Sequence, residues 1–485
     1  MKTIAEIVWQ IPIVSVTGKL NIPILAITFD SRNVEPGTLF VALRGTVDDG
    51  HKYIPEVTRR GASAIVCEKI PTTIRQDITY IVTRDSAFAM GVICARFYDL
   101  PSEKLKLVGV TGTNGKTTTV TLLYHLFRKM GYKAGLISTV ANYIDDQHVD
   151  ATLTTPDSLQ LNQLMAQMVV KGCEYCFMEV SSHAVVQRRI SGLNFVGGVF
   201  TNITHDHLDY HKTFAEYLKA KKTFFDKLPK NAFALVNKDD RNGMVMVQNT
   251  KATVKTFALK SIADFHCRMV ENDFAGMLLQ LGGREVWMRL IGEFNAYNLL
   301  AVYATAMQLG QKSDETLTAM STLAPVDGRF EFIRSDNNVT AVVDYAHTPD
   351  ALENVLKAIQ DLRPAGQIIT VVGCGGERDK AKRPQMTKIA AASSARVILT
   401  SDNPRNEEPE EIINDMLTGL DAVERRNIIV VTNRREAIRT ACLTASSGDV
   451  VLIAGKGHET YQIVRGVKSH FDDREVVREV FQIEE

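Results

Sequence analysis

A strand, a glycine-rich loop and a helix succeed one another between Leu105 and Gly131, and no other segment limits the possible folds as much. Leu105-Lys-Leu-Val-Gly-Val110 reads as a strand. Val120, Leu123, Phe127 and Met130 then recur at helical spacing, with Gly131 where a helix end often needs a positive φ. The loop between them contains Gly112, Thr113, Asn114, Gly115, Lys116, Thr117 and Thr118. Glycines allow backbone N–H groups to approach phosphate oxygens, a helix N-terminus favours negative charge, and Lys116 adds a cation. Thr117 can offer its hydroxyl to Mg²⁺. The common pattern G-x-x-x-x-G-K-[ST] would need glycine at Val110. The loop is therefore a shorter-spaced variant, which points away from ordinary P-loop kinases and GTPases. An incidental glycine turn would not explain the strand before it and the helix after it.

The remaining pattern is of the same class. A chain of 485 residues is long enough for about three domains. Up to about Leu100, Leu39–Leu43, Ala64–Cys67 and Tyr80–Thr83 read as short strands, and Pro101-Ser-Glu reads as a linker. From Val339 onward, apolar runs at Val339–Val343, Ile368–Val372, Val397–Leu399, Ile428–Val431 and Val450–Ala454 alternate with helical patterns. One such pattern carries Leu352, Val355, Leu356 and Ile359. This alternation indicates an α/β fold with a parallel sheet covered on both faces.

Several clusters could carry chemistry. Glu179 ends the apolar run of Phe177-Met-Glu, where a strand would deliver a carboxylate to a nucleotide site. His205, His207 and His211 lie close together; alone they resemble part of a zinc site, and at least one is expected to be a hydrogen-bonded structural residue. Cys173 and Cys176 have no second pair at zinc-finger spacing and are expected to pack near a strand. Gly373 and Gly375 imitate a dinucleotide fingerprint, but its third glycine would fall on Arg378, so an anion-binding turn is the better reading. Asp402-Asn-Pro-Arg405 and Gly455-Lys-Gly-His-Glu459 both follow strands, where open α/β sheets bind ligands.

Bulk properties exclude some partners. Fifty-six basic residues balance 56 acidic ones, so the chain lacks the general electrostatic footprint of a nucleic-acid binder. No apolar stretch approaches the ~18 residues of a membrane span. Lys2 and Glu6 interrupt the first ten residues, which do not read as a signal peptide. Seven cysteines, an odd number in a long chain, suggest reduced thiols and a cytoplasmic location. A monomer is the expectation for the oligomeric state, which no residue pattern fixes.

These segments, taken in order, resemble the Mur ligases, ATP-dependent amide-forming enzymes of bacterial cell-wall precursor assembly. The resemblance runs over nearly the whole chain, through Asp30-Ser-Arg32, the Gly112 loop, Thr154-Thr-Pro-Asp157, Glu179 to Arg189, the His205 cluster and Gly328-Arg-Phe-Glu331. Asp344-Tyr-Ala-His-Thr-Pro349 and the glycine and Asp402 clusters complete it. It implies three domains: a UDP-binding domain over 1–101, a central P-loop-type ATPase domain over 102–332 and a C-terminal Rossmann-like amino-acid-binding domain over 333–485. It also implies ATP as co-substrate, Mg²⁺ as cofactor, and phosphorylation of the D-glutamate γ-carboxylate of UDP-MurNAc-L-Ala-D-Glu before an amine displaces phosphate. Gathering that much negative charge needs cations.

By position, the resemblance makes Lys116, Glu179, His207 and Lys221 catalytic, with Thr117, Glu179, His207 and carbamylated Lys221 near metal. A bare ammonium at Lys221 would repel the cations; Lys219 and Lys222 are its neighbours in sequence. Asn295, Arg329 and Asp344 would contact ATP together with the loop. Ser31, Thr154, Thr155, Ser181, Gln187 and Arg189 would hold the UDP-muramoyl substrate. Arg378, Asp402, Asn403, Pro404, Arg405, Gly455 and Glu459 would hold the incoming amino acid. Arg405 offers a planar fork to a distal carboxylate, which meso-diaminopimelate has and lysine lacks. The rivals are a lysine-adding sibling, a folylpolyglutamate synthetase and a nucleotide-binding protein without catalysis.

Overall fold

The fold is described from a computed structural model, for residues 1–45, 48–151, 153–362 and 364–483. Three sheets organise it. The N-terminal sheet has the order Ile13–Thr17, Thr79–Thr83, Ala64–Cys67, Thr38–Val41, Ala26–Thr28, parallel except for its first strand. The strands expected in this region are present. Its helix Ser86–Phe97, capped by Asp85 on the Phe88 N–H, reaches the next unit through Arg188 and Asp85, 3.2 Å apart.

Pro101-Ser-Glu is not an extended linker. Leu100 adopts a left-handed conformation and Pro101 begins the helical turn Pro101–Lys104, with Pro101 and Ser102 buried. Proline ends a helix only from within; at the first helical position its missing N–H costs nothing and its φ is already suitable.

The central sheet is parallel from Ala134–Ile137 through Tyr175–Glu179, Lys106–Thr111, Gly197–Phe200, Phe233–Asn237 and Thr253–Ala258. Asn142–Ile144 and Gln147–Val149 extend it antiparallel on one side; on the other, Phe265–Asp273 joins in parallel and Gly276–Leu281 and Arg284–Met288 continue antiparallel. Lys106–Thr111 lies between strands reached by opposite crossovers, the switch point at which open α/β sheets bind ligands. The helix Lys116–Lys129 buries Val120, Leu123 and Phe127 on one face of the sheet, and Ser158–Val170 and Phe214–Asp226 cover the other.

The C-terminal sheet runs Glu331–Arg334, Thr340–Asp344, Val450–Ala454, Ile368–Val372, Arg396–Leu399, Ile428–Val430. All neighbours are parallel except the first pair. That antiparallel edge strand crosses the border expected at 332/333, because Glu331 and Phe332 pair with Val343 and Val342. Two separate buried clusters confirm cover on both faces. The helix Pro349–Asp361 shows the local logic: Thr348 caps the Ala351 N–H, Pro349 starts the first turn, and Leu352, Val355, Leu356 and Ile359 are buried.

Candidate active site

The strand Lys106–Thr111 explains the irregular loop spacing. Val110 stays within it, fully buried and paired with Glu179 and Val199. The loop therefore starts only at Gly112, two residues later, and the helix begins at Lys116. Gly115 needs to be glycine: its φ is +83°, and a Cβ would lie 2.4 Å from Asn298 Oδ1. Lys116 Nζ folds back to donate to the carbonyls of Gly112 (3.0 Å) and Thr113 (2.8 Å). Desolvation draws its pKa below the ordinary lysine value, opposed by Glu179.

Glu179 is wholly buried at the end of its strand. Its Oε1 accepts from the Thr139 N–H (2.8 Å) and hydroxyl (3.0 Å), whereas Oε2 has no hydrogen-bond partner among the described residues. A buried carboxylate oxygen without a donor is costly unless a cation completes it. Thr139 was not picked out in the sequence, although its place just after the apolar strand Ala134–Ile137 is a usable signal.

Three lysines compete near position 221, and their surroundings differ. Lys219 is exposed, and Lys222 is tied to Asp226 and Asn249. Lys221 is buried, and its Nζ donates to Gly112 O at 2.6 Å and lies 4.6 Å from the Tyr217 ring centre. Burial, reinforced by Lys116, pushes its pKa well below the ordinary lysine value. His207 faces the same cleft with a left-handed backbone and Nε2 3.3 Å from Asp206. Desolvation holds it down to about 4, against the pull of Asp206. His211 is the hydrogen-bonded structural histidine expected of the cluster, buried with Nε2 2.9 Å from Ser182 Oγ. Cys176 is buried within the Tyr175–Glu179 strand and Cys173 just before it, both in the core.

A cleft of about 1310 Å³ unites most of the expected residues. Thr113 to Thr118, Glu179, His207, Lys221 and Arg329 line it from the central domain and its border, and Asp344 lines it from the end of its C-terminal-sheet strand. Arg329 Nη2 donates to Thr117 Oγ1 (3.2 Å), and its guanidinium lies 4.4 Å from the Tyr345 ring centre. Asn295 does not reach the cleft. It is buried, donating to Ile291 O and accepting from Asn298, and Asn298 forms the wall instead. Gly112 likewise lies behind the wall, where its carbonyl anchors both lysines.

Thr154, Thr155, Ser181 and Arg189 line the opposite side. Thr155 Oγ1 donates to Glu179 O and accepts from the Ser181 N–H, while Arg189 Nη1 donates to Thr155 O. Gln187 sits outside the lining and orients Arg189, accepting from Nε and Nη2 at 2.9 and 2.6 Å. Ser31 is not part of this cleft; it starts the short turn Ser31–Asn33 on the N-terminal unit.

From the C-terminal sheet, the ends of three adjacent parallel strands bring Arg378, Asp402, Asn403, Arg405, Gly455 and Glu459 to the cleft. Pro404 shapes the turn without lining it. Gly455 has φ +117°, and a Cβ there would lie 2.7 Å from Asp402 Oδ2. The two halves of the cleft touch directly. Asp350, at the start of the helix Pro349–Asp361, accepts from Asn114 Nδ2 (2.7 Å) and Thr204 Oγ1 (3.1 Å).

Asp344 yields a pH prediction. Its Oδ2 accepts from the Phe330 N–H at 2.7 Å. Burial nonetheless raises its pKa from 3.8 to about 6, against Arg329 and two backbone N–H groups. A carboxyl whose folded pKa is raised contributes stability at low pH that is lost as pH rises through about 6. Asp344→Asn should therefore melt higher than the wild type at pH 8, with the gap closing between about pH 6 and 4 and gone only below the unfolded value of 3.8. Thermal melts across that range check this, and an equal offset at both ends would contradict it.

A phosphate loop at a sheet switch point, a buried carboxylate beside it and a C-terminal sheet that brings Arg378 and Arg405 to the same cleft define a multidomain α/β enzyme that acts on a nucleotide phosphate. Comparison with known proteins gives the family. Models for the Mur ligase middle domain, the Mur ligase glutamate ligase domain and the Mur ligase family catalytic domain match residues 110–306, 328–457 and 23–95. A UDP-N-acetylmuramoyl-L-alanyl-D-glutamate–2,6-diaminopimelate ligase from Cytophaga hutchinsonii is 56% identical over 98% of both chains. One of the same description from Bacteroides thetaiotaomicron is 58% identical over 98% of this chain and 99% of its own. A solved structure of a ligase of that description superposes with a TM-score of 0.69 at 31% identity over 99% of both chains. A MurF ligase from Thermotoga maritima in complex with ADP shares the fold, with a TM-score of 0.61 at 21% identity over 94% of this chain and 97% of its own. The chain belongs to the Mur ligase family of ATP-dependent, amide-forming enzymes.

Proposed function

We infer that the protein joins meso-diaminopimelate to the D-glutamate γ-carboxylate of UDP-MurNAc-L-Ala-D-Glu, a step of peptidoglycan precursor synthesis. The observation that carries this reading is the common cleft. The phosphate loop and the Asp402–Arg405 and Gly455–Glu459 loops open onto the same space. The names of the full-length relatives support it.

The chemistry has two displacements. A γ-carboxylate oxygen bonds to the γ-phosphorus of ATP as the bond to ADP breaks. The neutral amine then bonds to the acyl carbon, phosphate leaves, and the amine loses a proton. A carboxylate resists amines until its oxygen has become a phosphate leaving group, which is why ATP is required. Lys116, Asn114 and the loop N–H groups hold the phosphates, and Arg329 braces Thr117 beside them. Thr154, Thr155, Ser181 and Arg189 hold the muramoyl peptide, with Gln187 behind Arg189 and Ser31 reserved for the distant UDP end. Arg378, Asp402, Asn403, Pro404, Arg405, Gly455 and Glu459 receive the amino acid, and Glu459 takes its distal ammonium.

The donor set fits Mg²⁺. Glu179 Oε2 is buried without a partner among the described residues, and Thr117 adds a hard oxygen, in keeping with a cation that takes few protein ligands. His207 and carbamylated Lys221 would complete the set. When bound, Mg²⁺ neutralises charge on the phosphates and developing oxyanions. No described helix is long and apolar enough to cross a membrane. All seven cysteines are free and buried, which supports placing the reaction in the cytoplasm.

Incubation with ATP, Mg²⁺, UDP-MurNAc-L-Ala-D-Glu and either meso-diaminopimelate or lysine tests the reading. Phosphate release and a tripeptide product seen by mass spectrometry should require the dipeptide substrate and favour diaminopimelate. No phosphate release with all substrates present would leave a binding protein without catalysis.

A further inference from the structure

Lys456 is fully buried in the loop that carries Gly455 and Glu459. Its side chain lies behind the cleft wall, whereas Asp402, Asn403 and Glu459 face the cleft. Nζ donates to Asn403 Oδ1 (3.2 Å) and Glu459 Oε2 (3.2 Å), and stands 3.8 Å from Asp402 Oδ1. Asn403 Nδ2 also donates to Glu459 Oε2, at 2.7 Å. Two donors thus fix one oxygen of Glu459, and the other remains for a ligand. The Asn403 amide is oriented in turn, because its Oδ1 also accepts from the Ile463 N–H at 2.9 Å.

Charge makes this more than a prop. Asp402 and Glu459 place two carboxylates at the amino-acid end of the cleft, facing Arg378 and Arg405. Without Lys456 these four groups cancel. With it, three cations face two carboxylates. Meso-diaminopimelate with its nucleophilic amine neutral carries two carboxylates and one ammonium, a net negative charge. Lysine in the same state is neutral. A cationic pocket discriminates between them, and a neutral one does so less.

We propose that Lys456 is a specificity-determining positioning residue that holds Asn403 and Glu459 in place and biases the pocket toward an amino acid with a second carboxylate. The proposal rests on the diaminopimelate-adding reading above, so the wild type is assayed first with both amino acids.

Lys456→Met and Lys456→Gln, the second retaining a hydrogen-bond donor without charge, are then compared with it. In both, KM for meso-diaminopimelate should rise by about ten- to a hundredfold. KM for ATP and for the UDP-dipeptide should stay near wild type, and the preference for diaminopimelate over lysine should fall at least about tenfold. An unchanged preference ratio in a variant that folds would overturn the proposal. So would a uniform loss of kcat with a lowered melting temperature and unaltered KM for diaminopimelate, the signature of a structural prop. A wild type that used neither amino acid would overturn the reading beneath it as well.

Discussion

Removing carbon dioxide and bicarbonate from the protein should abolish most of its ligase activity, and Lys221→Ala should lose it at any bicarbonate concentration. The reason lies in where Lys221 sits. Its amine is buried, 2.6 Å from the Gly112 carbonyl, and its pKa is pushed well below the ordinary lysine value by burial and by Lys116. A protonated amine in that place would carry a desolvated charge next to another lysine and beside the expected cations. A neutral amine is instead a nucleophile toward CO₂. The nitrogen bonds to carbon, one proton leaves, and the side chain changes from a potential cation to an anion. The exchange would suit the electrostatics of a site that gathers the phosphates of ATP. Loss of one such preorganised charge costs on the order of 10²–10³ in kcat. A carbamate signal from ¹³C-bicarbonate in the wild type, absent from Lys221→Ala, would accompany the kinetic loss. Full activity in both the degassed wild type and the alanine variant would refute the role.

Arg405 should decide which amine is accepted. Its Nη1 donates to Gly376 O at 2.6 Å, which anchors one arm of the guanidinium while the residue lines the cleft. The backbone is held as firmly: Arg405 has φ 56°, a left-handed conformation that costs a side-chain-bearing residue about 1–2 kcal/mol. Its N–H donates to Ile463 O (3.1 Å), and its carbonyl accepts from the Arg465 N–H (2.6 Å). Such strain persists only where surrounding contacts over-determine it, typically at functional sites. Truncating one partner of a desolvated, hydrogen-bonded charge pair costs roughly 2–5 kcal/mol. Arg405→Ala should therefore lower kcat/KM for meso-diaminopimelate by roughly 30- to several-thousand-fold, with little change for lysine. Arg405→Lys should recover only part, since an ammonium lacks the planar fork. Measured kcat/KM ratios for the two amino acids check this; an alanine variant that kept its full preference would disprove the specificity argument.

Much of this site was legible before any fold was known, because some residue types are dictated locally. Gly131 answers a positive φ at a helix end, Leu352, Val355, Leu356 and Ile359 announce a helix face, and an apolar run ending in Glu179 announces a strand that delivers a carboxylate. Other features were hidden. Asn295 and Asn298 lie three residues apart on one helix, and only its packing shows that Asn298 faces the cleft. The edge strand Glu331–Arg334 is short and half polar, so it offers no apolar run; pairing with Thr340–Asp344 creates it. Lys456 sits unremarked inside a glycine-rich loop, and Thr139 becomes significant only through its two bonds to Glu179.

The sequence by itself determined the α/β class, the phosphate loop and the residue types of each cluster. These follow from local periodicity, backbone freedom and side-chain chemistry, which act over a few residues. Only the tertiary structure decided which of Lys219, Lys221 and Lys222 is buried beside the loop, that Glu179 keeps one oxygen without a partner among the described residues, and that Asp350 bonds to Asn114 across the cleft. Those outcomes depend on desolvation and on distances between segments far apart in the chain, up to 236 residues for Asn114 and Asp350. No local pattern encodes them.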